Sequence, residues 1–201
     1  MRKILILINC VILIGCAANP SRLAPDSFSS NSKNGLMVGT ITIIDESPVY
    51  NSYNFFYRKK NVQKGHRINI KPNQGGLLRV LKPDYQIGSR MVFQFALEHI
   101  PGDYEFWSYS LFSNYGFYQE YYSPKNHFSV PFTLKEGTIT YIGDLTFYPK
   151  GNTNGFTLKW TDNYSKDIEK LKGRYPKFNW ESIENDTPKE GYDLLDGIIE
   201  F

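Results

Sequence analysis

The chain has 201 residues, with 23 basic residues against 20 acidic ones and an aromatic content of 16%. A chain of this length suits one domain with a substantial core. The near balance of charge argues against a nucleic-acid-binding protein, because contacts to phosphates require an excess of basic side chains.

The first sixteen residues have the layout of an export signal. Arg2 and Lys3 precede an apolar run over residues 4–14, which is shorter than the roughly 20 residues that cross a bilayer as a helix. The sequence Leu-Ile-Gly-Cys at residues 13–16 resembles the lipobox of bacterial lipoproteins. The resemblance implies that residues 1–15 are removed, that the Cys16 thiol receives a diacylglycerol, and that the new amino terminus is acylated, for example with palmitate. An uncleaved short anchor and an ordinary cleaved signal remain as alternatives.

The residue after the cysteine bears on location. Ala17 stands where, in enteric-type lipoproteins, Asp marks retention in the inner membrane. We therefore expect a chain anchored by lipid in the bacterial cell envelope, at the outer membrane, facing the periplasm or the surface. Both cysteines, Cys10 and Cys16, lie in the signal region, so the processed chain is expected to have no internal disulfide.

Composition divides the rest of the chain into three parts. Residues 16–34, with the lipidated cysteine, are rich in Ser, Asn and Pro and predict a flexible tether. Residues 35–160 consist of short β-like runs separated by Gly, Pro and Asn, which predicts about eight strands. Residues 161–201 predict a short helix over 166–172, capped by Asp162 or Ser165, and then an acidic tail with weak helical spacing at 194–199.

The strand pattern predicts a mainly β fold, an antiparallel β-sandwich followed by a short C-terminal helix. Alternation within the runs predicts a common inward phase for five side chains: Phe132, Tyr141, Leu145, Phe147 and Leu158.

Two short motifs make the fold prediction more specific. Residues 99–106, His-Ile-Pro-Gly-Asp-Tyr-Glu-Phe, resemble the Pro-Gly-x-Tyr turn of transthyretin-like and carboxypeptidase-regulatory-like sandwiches. Residues 128–143 are similar to later strands of uncharacterised Gram-negative lipoproteins of this type. The resemblance covers residues 35–160 and implies a strand after the turn whose aromatic residue points inward. The resemblance implies no catalytic residue in this chain.

The sequence contains no motif that predicts catalysis, a metal ion or a cofactor. His66, His99 and His127 are far apart in sequence and no cysteine accompanies them, so we expect no metal site. No Gly-x-Ser-x-Gly elbow and no glycine-rich phosphate loop is present. We therefore expect no catalytic residue and no cofactor.

An aromatic run is the best candidate for a binding surface. It contains five large aromatic residues within eight positions: Tyr115, Phe117, Tyr118, Tyr121 and Tyr122. Exposed tyrosines make good anchors for a protein partner or a flat sugar face. From the sequence alone, however, we favour the other interpretation, that the run packs on the fold and completes its core.

Charge is unevenly distributed along the chain. Residues 47–83 contain eight basic residues and no acidic one, whereas residues 181–201 contain seven acidic residues and only Lys189 to oppose them. The basic stretch is expected either to face anionic lipid or a partner, or to be solvated or neutralised by the acidic tail.

Together these features predict a membrane-anchored envelope lipoprotein that acts as a non-enzymatic binding or structural module. Its expected partners are the membrane, through the lipid anchor, and an envelope protein or cell-wall element, with no nucleic acid. The alternatives are a hydrolase whose site is assembled from distant residues and a secretion-system assembly lipoprotein.

Overall fold

The computed structural model describes residues 24–44, 48–72, 82–150, 155–194 and 197–201. Over these residues the protein is mainly β, with two sheets and one α-helix. The predicted export signal, the lipidation site Cys16 and Arg79 of the basic stretch lie outside the described residues.

The larger sheet has seven strands in the order β12-β10-β9-β1-β5-β4, with β11 also paired to β9. Its strands are β1 (Gly35–Ile44), β4 (Tyr85–Ile87), β5 (Arg90–His99), β9 (Ile139–Tyr148), β10 (Thr157–Thr161), β11 (Ile183–Asn185) and β12 (Ile199–Glu200).

The smaller sheet has five strands in the order β3-β2-β6-β7, with β8 also paired to β6. Its strands are β2 (Ser52–Lys59), β3 (His66–Ile70), β6 (Gly102–Asn114), β7 (Gln119–Tyr122) and β8 (Val130–Leu134). The eight predicted strands correspond to β1, β2, β3, β5, β6, β8, β9 and β10. The alternation did not predict the short strands β4, β7, β11 and β12.

The inward side chains of both sheets belong to one hydrophobic cluster. Phe55 and Phe106 of the smaller sheet and Phe93 and Phe147 of the larger sheet are members of it, and each is at most 3% exposed. Large aromatic side chains bury much apolar area, so this shared cluster is the main source of stability in a chain without a described disulfide.

The outer face of the larger sheet is also covered. Helix α1 (Tyr164–Arg174) lies there and buries Ile168 and Leu171 in a second cluster with Leu36 and Val38 of β1. Strand β1 is therefore buried along almost its whole length on both faces. Helix α1 contains the predicted segment 166–172 but begins earlier, after Asn163, which makes no side-chain cap bond. Of the two predicted cap residues, Asp162 accepts from the backbone N–H of Tyr164 at 3.0 Å, whereas Ser165 lies inside the helix.

The predicted antiparallel pairing holds throughout the smaller sheet, whereas the larger sheet contains both antiparallel and parallel pairs. Strand β1 pairs parallel with β9, and β11 and β12 pair parallel with β9 and β10. For β11 and β12 the cause is that they come from the segment predicted to be a helix and an acidic tail, and they add to the sheet after the chain has crossed its outer face. Strands β1 and β9 were both predicted, but alternation alone does not fix the relative direction of two strands. In the segment with helical spacing at 194–199, residues 195 and 196 lie outside the described residues, and Ile199 begins strand β12.

A bulge in β9 explains one error among the predicted core residues. Phe132, Leu145, Phe147 and Leu158 are buried in the cluster that both sheets share, as predicted. Tyr141 is fully buried but on the opposite face, beneath helix α1. The pairing between β1 and β9 shifts between Val38–Tyr141 and Thr40–Asp144, and Gly143 within this shift has a φ of +90°. One extra residue reverses the alternation.

Part of the segment predicted as a flexible tether is packed on the fold. Phe28 is 4% exposed and belongs to the cluster under helix α1. The side chains of Ser32 and Asn34 both donate to Glu98 at 3.1 Å. The prediction of a flexible tether is therefore wrong for residues 24–34, because their apolar and polar side chains find partners on the larger sheet.

Candidate functional site

The aromatic run forms a hairpin, residues 114–122, in which the end of β6 pairs with β7. All five aromatic side chains predicted as a contact surface are exposed: Tyr115 44%, Phe117 91%, Tyr118 48%, Tyr121 67% and Tyr122 40%. A hairpin that completed the core would bury these rings, so their exposure favours the interpretation as a contact surface. We refer to residues 114–122 as the aromatic hairpin.

The turn of the aromatic hairpin orders its rings. The backbone N–H of Tyr115 donates to the carbonyl of Tyr118 at 3.0 Å, and Gly116 takes a φ of +88°. The rings of Tyr115 and Tyr118 stack at 4.6 Å, and Phe117 lies 5.5 Å from Tyr118. The three rings therefore form one cluster at the turn, and ring contacts of this kind add to apolar burial.

The strand half of the hairpin connects this cluster to the sheet. Tyr121 packs against Phe112 of β6 at 4.7 Å, and Tyr122 lies 5.8 Å from Tyr50 at the border of the core. Within the described part of the chain, β7 pairs with β6 alone. Its outer edge therefore presents backbone donors and acceptors beside the exposed rings, as edge strands do.

The strand directions place the aromatic hairpin far from the start of β1. Gly35 of β1 pairs with His99 at the end of β5, and β6 starts next to this point at Gly102. We call this the proximal end. Strand β6 then runs for 13 residues, about 40 Å, to Asn114. The aromatic hairpin thus lies at the opposite, distal end.

A buried polar cluster lies under helix α1 and was not predicted. The hydroxyls of Thr42 and Thr146 donate to Asp144 of β9 at 2.7 and 2.8 Å, and the amide of Asn163 donates to it at 3.2 Å. Asp144 is 1% exposed. Its carboxylate is therefore satisfied within the fold, as a buried charge must be.

Asp167 of helix α1 joins this cluster from the opposite side. The hydroxyl of Tyr141 donates to its carboxylate at 2.6 Å, and that of Tyr85 lies at 3.5 Å. Burial raises the pKa of Asp167, while the hydrogen bond from Tyr141 opposes the rise. Burial and the neighbouring Asp167 also raise the pKa of Tyr141. The cluster ties the helix to the sheet, and its polar atoms are occupied by one another.

The structure brings together two histidines that the sequence placed 33 residues apart. The rings of His66 and His99 lie 4.6 Å apart at the proximal end, and the hydroxyl of Tyr57 lies 2.8 Å from Nε2 of His99. Burial and the neighbouring His66 lower the pKa of His99 to about 4. His127 lies elsewhere, against Trp107. In the described ranges no three His, Cys, Asp or Glu side chains are grouped so that they could hold a metal ion.

The basic stretch does not pair with the acidic tail at any described position. Arg58 pairs with Glu105 of β6 at 2.8 Å. In the tail, Glu184 pairs with Lys135 at 2.6 Å, and Asp186 accepts from the backbone of Thr133. The expectation that the tail neutralises the basic stretch is therefore not met where both are described, because the tail lies along β9 and β8 instead.

The comparisons with known proteins assign no family. No protein-family model matches the chain, and no curated protein matches it. Among solved structures, it is similar to a leucine-rich repeat protein from Bacteroides thetaiotaomicron, with 15% sequence identity and a TM-score of 0.34. The match covers 72% of this chain and 16% of that protein.

The described residues contain no helix that is both long and apolar enough to cross a membrane.

Sequence reasoning missed the buried polar cluster, although one signal was present. Asp144 interrupts a run of apolar and β-branched residues in β9, and an acid in such a strand needs partners in the fold. The neighbours of His99 had no comparable signal, because only the packing of the two sheets brings His66 next to it.

Proposed function

We propose that this chain is a lipid-anchored, non-enzymatic binding module of the bacterial cell envelope, and that the aromatic hairpin is its contact surface for a protein partner. The observation that carries the proposal is the exposure of all five large aromatic rings of one hairpin. Tyrosine and phenylalanine bury much area on binding at a low cost in side-chain entropy.

The free edge of β7 favours a protein over a sugar as the partner. An extended segment of another protein can add to such an edge through backbone hydrogen bonds, while neighbouring side chains supply specificity. Tyr121 lies on this edge strand and Phe117 lies in the turn before it, and both rings are exposed. Glu120 lies between them in sequence. A polysaccharide would use the rings but not the strand edge.

The lipobox supports the anchored part of the proposal. The sequence Leu-Ile-Gly-Cys ends at Cys16, and the described fold begins eight residues later at Ala24. Since the aromatic hairpin lies at the distal end, a chain anchored at Cys16 presents it away from the membrane.

The fold type belongs to the same proposal. We infer a β-sandwich of the transthyretin-like kind, with a mixed larger sheet. The turn at Pro101 and Gly102 supports this inference, because Tyr104, which follows it, is 2% exposed and its hydroxyl donates to the carbonyl of Ile100 at 2.8 Å.

The buried polar cluster gives no support to a hydrolase assembled from distant residues. Asp144 and Asp167 are at most 5% exposed, and their oxygen atoms accept hydrogen bonds from the fold. Such carboxylates serve the attachment of helix α1.

The test changes Tyr118 and Tyr121 to Ser together in the full chain. A partner is first captured from detergent-extracted envelopes, identified, purified and then titrated directly with each variant. Loss of two contact tyrosines should weaken binding roughly 30-fold or more, while the melting temperature stays close to that of the parent chain.

Tyr192→Ser is the matched control, because Tyr192 is 56% exposed but lies outside the aromatic hairpin. It should bind the partner as the parent chain does. Equal affinity of the double variant and the control would reject the hairpin as the contact surface. A large drop in the melting temperature of the double variant would show that the two tyrosines stabilise the fold, and the hairpin would not then be assigned as a contact surface.

A further inference from the structure

Two neighbouring turns at the proximal end expose apolar side chains. Val62 in the turn between β2 and β3 is 43% exposed, and Ile100 in the turn between β5 and β6 is 60% exposed. The ammonium of Lys59 donates to the carbonyl of Pro101 at 2.9 Å, and the backbone N–H of Lys60 donates to that of Asp103 at 2.9 Å. These bonds hold the two turns side by side.

The hairpin of β2 and β3 that exposes Val62 also carries three basic side chains. Lys60, Lys64 and Arg67 are exposed, and none has an ion pair in the described ranges. We call Lys60, Val62, Lys64, Arg67 and Ile100 the proximal surface.

The acidic side chains at this end are already engaged. Glu98 accepts hydrogen bonds from Ser32 and Asn34, Glu136 pairs with Lys33, and Asp103 accepts from Thr133. They do not pair with the bases of the proximal surface, which leaves its positive charge uncompensated by direct contact.

The N-terminal segment reaches the fold at the same end. Ser32 and Asn34 contact Glu98, and Gly35 then opens β1 opposite His99. Ala24 lies eight positions after Cys16, and a chain of that length spans at most about 29 Å. A lipid on Cys16 therefore keeps the fold within a short distance of the bilayer.

We propose that the proximal surface is a second membrane-contact site, selective for anionic phospholipid. Lys60, Lys64 and Arg67 bind the headgroups, and Val62 and Ile100 enter the interface between headgroups and acyl chains. Charge and exposed apolar side chains on one surface match the two parts of such an interface. The inference rests on the lipid anchor of the proposed function, and it orients the aromatic hairpin away from the membrane.

The experiment measures which end of the lipidated full chain touches the bilayer. Cys16 is the only cysteine after residue 15, and lipid occupies its thiol, so Val62→Cys and Phe117→Cys each supply one site for a fluorophore. Each labelled protein is reconstituted into phosphatidylcholine vesicles with or without phosphatidylglycerol, and quenching by nitroxide-labelled lipid is recorded.

Quenching at residue 62 should exceed that at residue 117 severalfold, and only in vesicles that contain phosphatidylglycerol. The triple substitution Lys60→Gln, Lys64→Gln, Arg67→Gln should remove the difference, and high salt should reduce it. The matched control removes the same charge elsewhere by changing three exposed lysines of helix α1, Lys166, Lys170 and Lys172, to Gln. It should leave quenching at residue 62 unchanged.

Failure of the anchor and failure of this inference give different results. A protein that does not float with neutral phosphatidylcholine vesicles lacks the anchor. A protein that floats but shows equal quenching at residues 62 and 117, or an equal effect of both triple substitutions, overturns the second contact site alone.

Discussion

The carboxylates of Asp144 and Asp167 share one hydroxyl, that of Thr40, which lies 2.9 Å from an oxygen of each. A threonine hydroxyl has a single proton to donate, so it can donate to only one of the two. We therefore expect the other carboxyl group to carry a proton and to donate it to the threonine oxygen. Asp167 is expected to be the protonated partner, because burial raises its pKa, whereas Asp144 has Arg90 at 3.5 Å.

This sharing predicts the effect of Asp167→Asn on the pH dependence of stability. A carboxyl group whose pKa is raised above its ordinary 3.8 in the folded state stabilises the fold fully at low pH. That contribution is lost as pH rises through the raised pKa. Asparagine can donate to Thr40 at any pH and still accept from Tyr141, so the variant should lose this part of the slope.

Urea denaturation between about pH 4 and pH 8 measures the difference. Asp144, Tyr85 and Tyr141 are the titratable groups that face Asp167 in the cluster. Glu169→Gln, an exposed acid of the same helix, is the control and should keep the slope of the parent chain. Identical slopes for both variants would contradict a protonated Asp167.

The bulge in β9 predicts that Gly143→Ala is destabilising. Gly143 has a φ of +90°, and a Cβ there would lie 2.8 Å from Cγ2 of Thr187. Together the strained backbone and the contact should lower the free energy of unfolding by about 1–3 kcal/mol.

Gly173→Ala is the matched control in the same urea denaturation series. Gly173 lies in helix α1, and a Cβ there meets no atom within 4 Å. Alanine is the better helix former, so this change should stabilise the fold by about 0.5–1 kcal/mol. Comparable losses at both positions would show that the bulge does not constrain Gly143.

The alternation of apolar residues predicted the long strands and the inward phase of Phe147 and Leu158, since a half-buried strand repeats every two residues. It misplaced Tyr141, because a bulge reverses the phase without interrupting the pattern. Strands β4, β7, β11 and β12 have two to four residues, too few to show a period. Their existence depends on tertiary pairing.

The residues of the aromatic hairpin could be identified from the sequence, but their position relative to the core could not. The density of rings over residues 115–122 was visible in sequence, but exposure depends on whether the hairpin folds over the core or extends from it. The proximal surface could not be predicted from the sequence, because Val62 and Ile100 lie in two different turns that are far apart in the chain. The hydrogen bonds from Lys59 to Pro101 and from Lys60 to Asp103 show that the two turns adjoin.

The lipobox predicts a simple outcome for Cys16→Ser. A serine hydroxyl cannot form the thioether to diacylglycerol, so the variant should incorporate no labelled palmitate and should not float with neutral vesicles. Ser32→Ala, in a serine of the packed N-terminal segment, keeps the cysteine and should be labelled normally. Labelling of Cys16→Ser at the level of the parent chain would contradict lipidation at this residue.

Two phenylalanines in opposite surroundings test the interpretation of core and surface together. Phe147 is fully buried and packs against Tyr53 and Phe156 at 5.0 and 5.5 Å, whereas Phe117 is 91% exposed. Phe147→Ala removes buried apolar area and leaves a cavity, so it should cost about 3–5 kcal/mol of unfolding free energy. Phe117→Ala should change that free energy by no more than about 0.5 kcal/mol.

In partner binding the same two variants should show the reverse order, with the larger effect at Phe117. Phe117→Ala should weaken binding while its melting temperature stays near that of the parent chain. Phe147→Ala should bind normally below its own melting transition, because its side chain does not reach the surface. A large stability loss in Phe117→Ala would mean that the hairpin turn packs against the fold, and the aromatic hairpin would then have to be withdrawn as a contact surface.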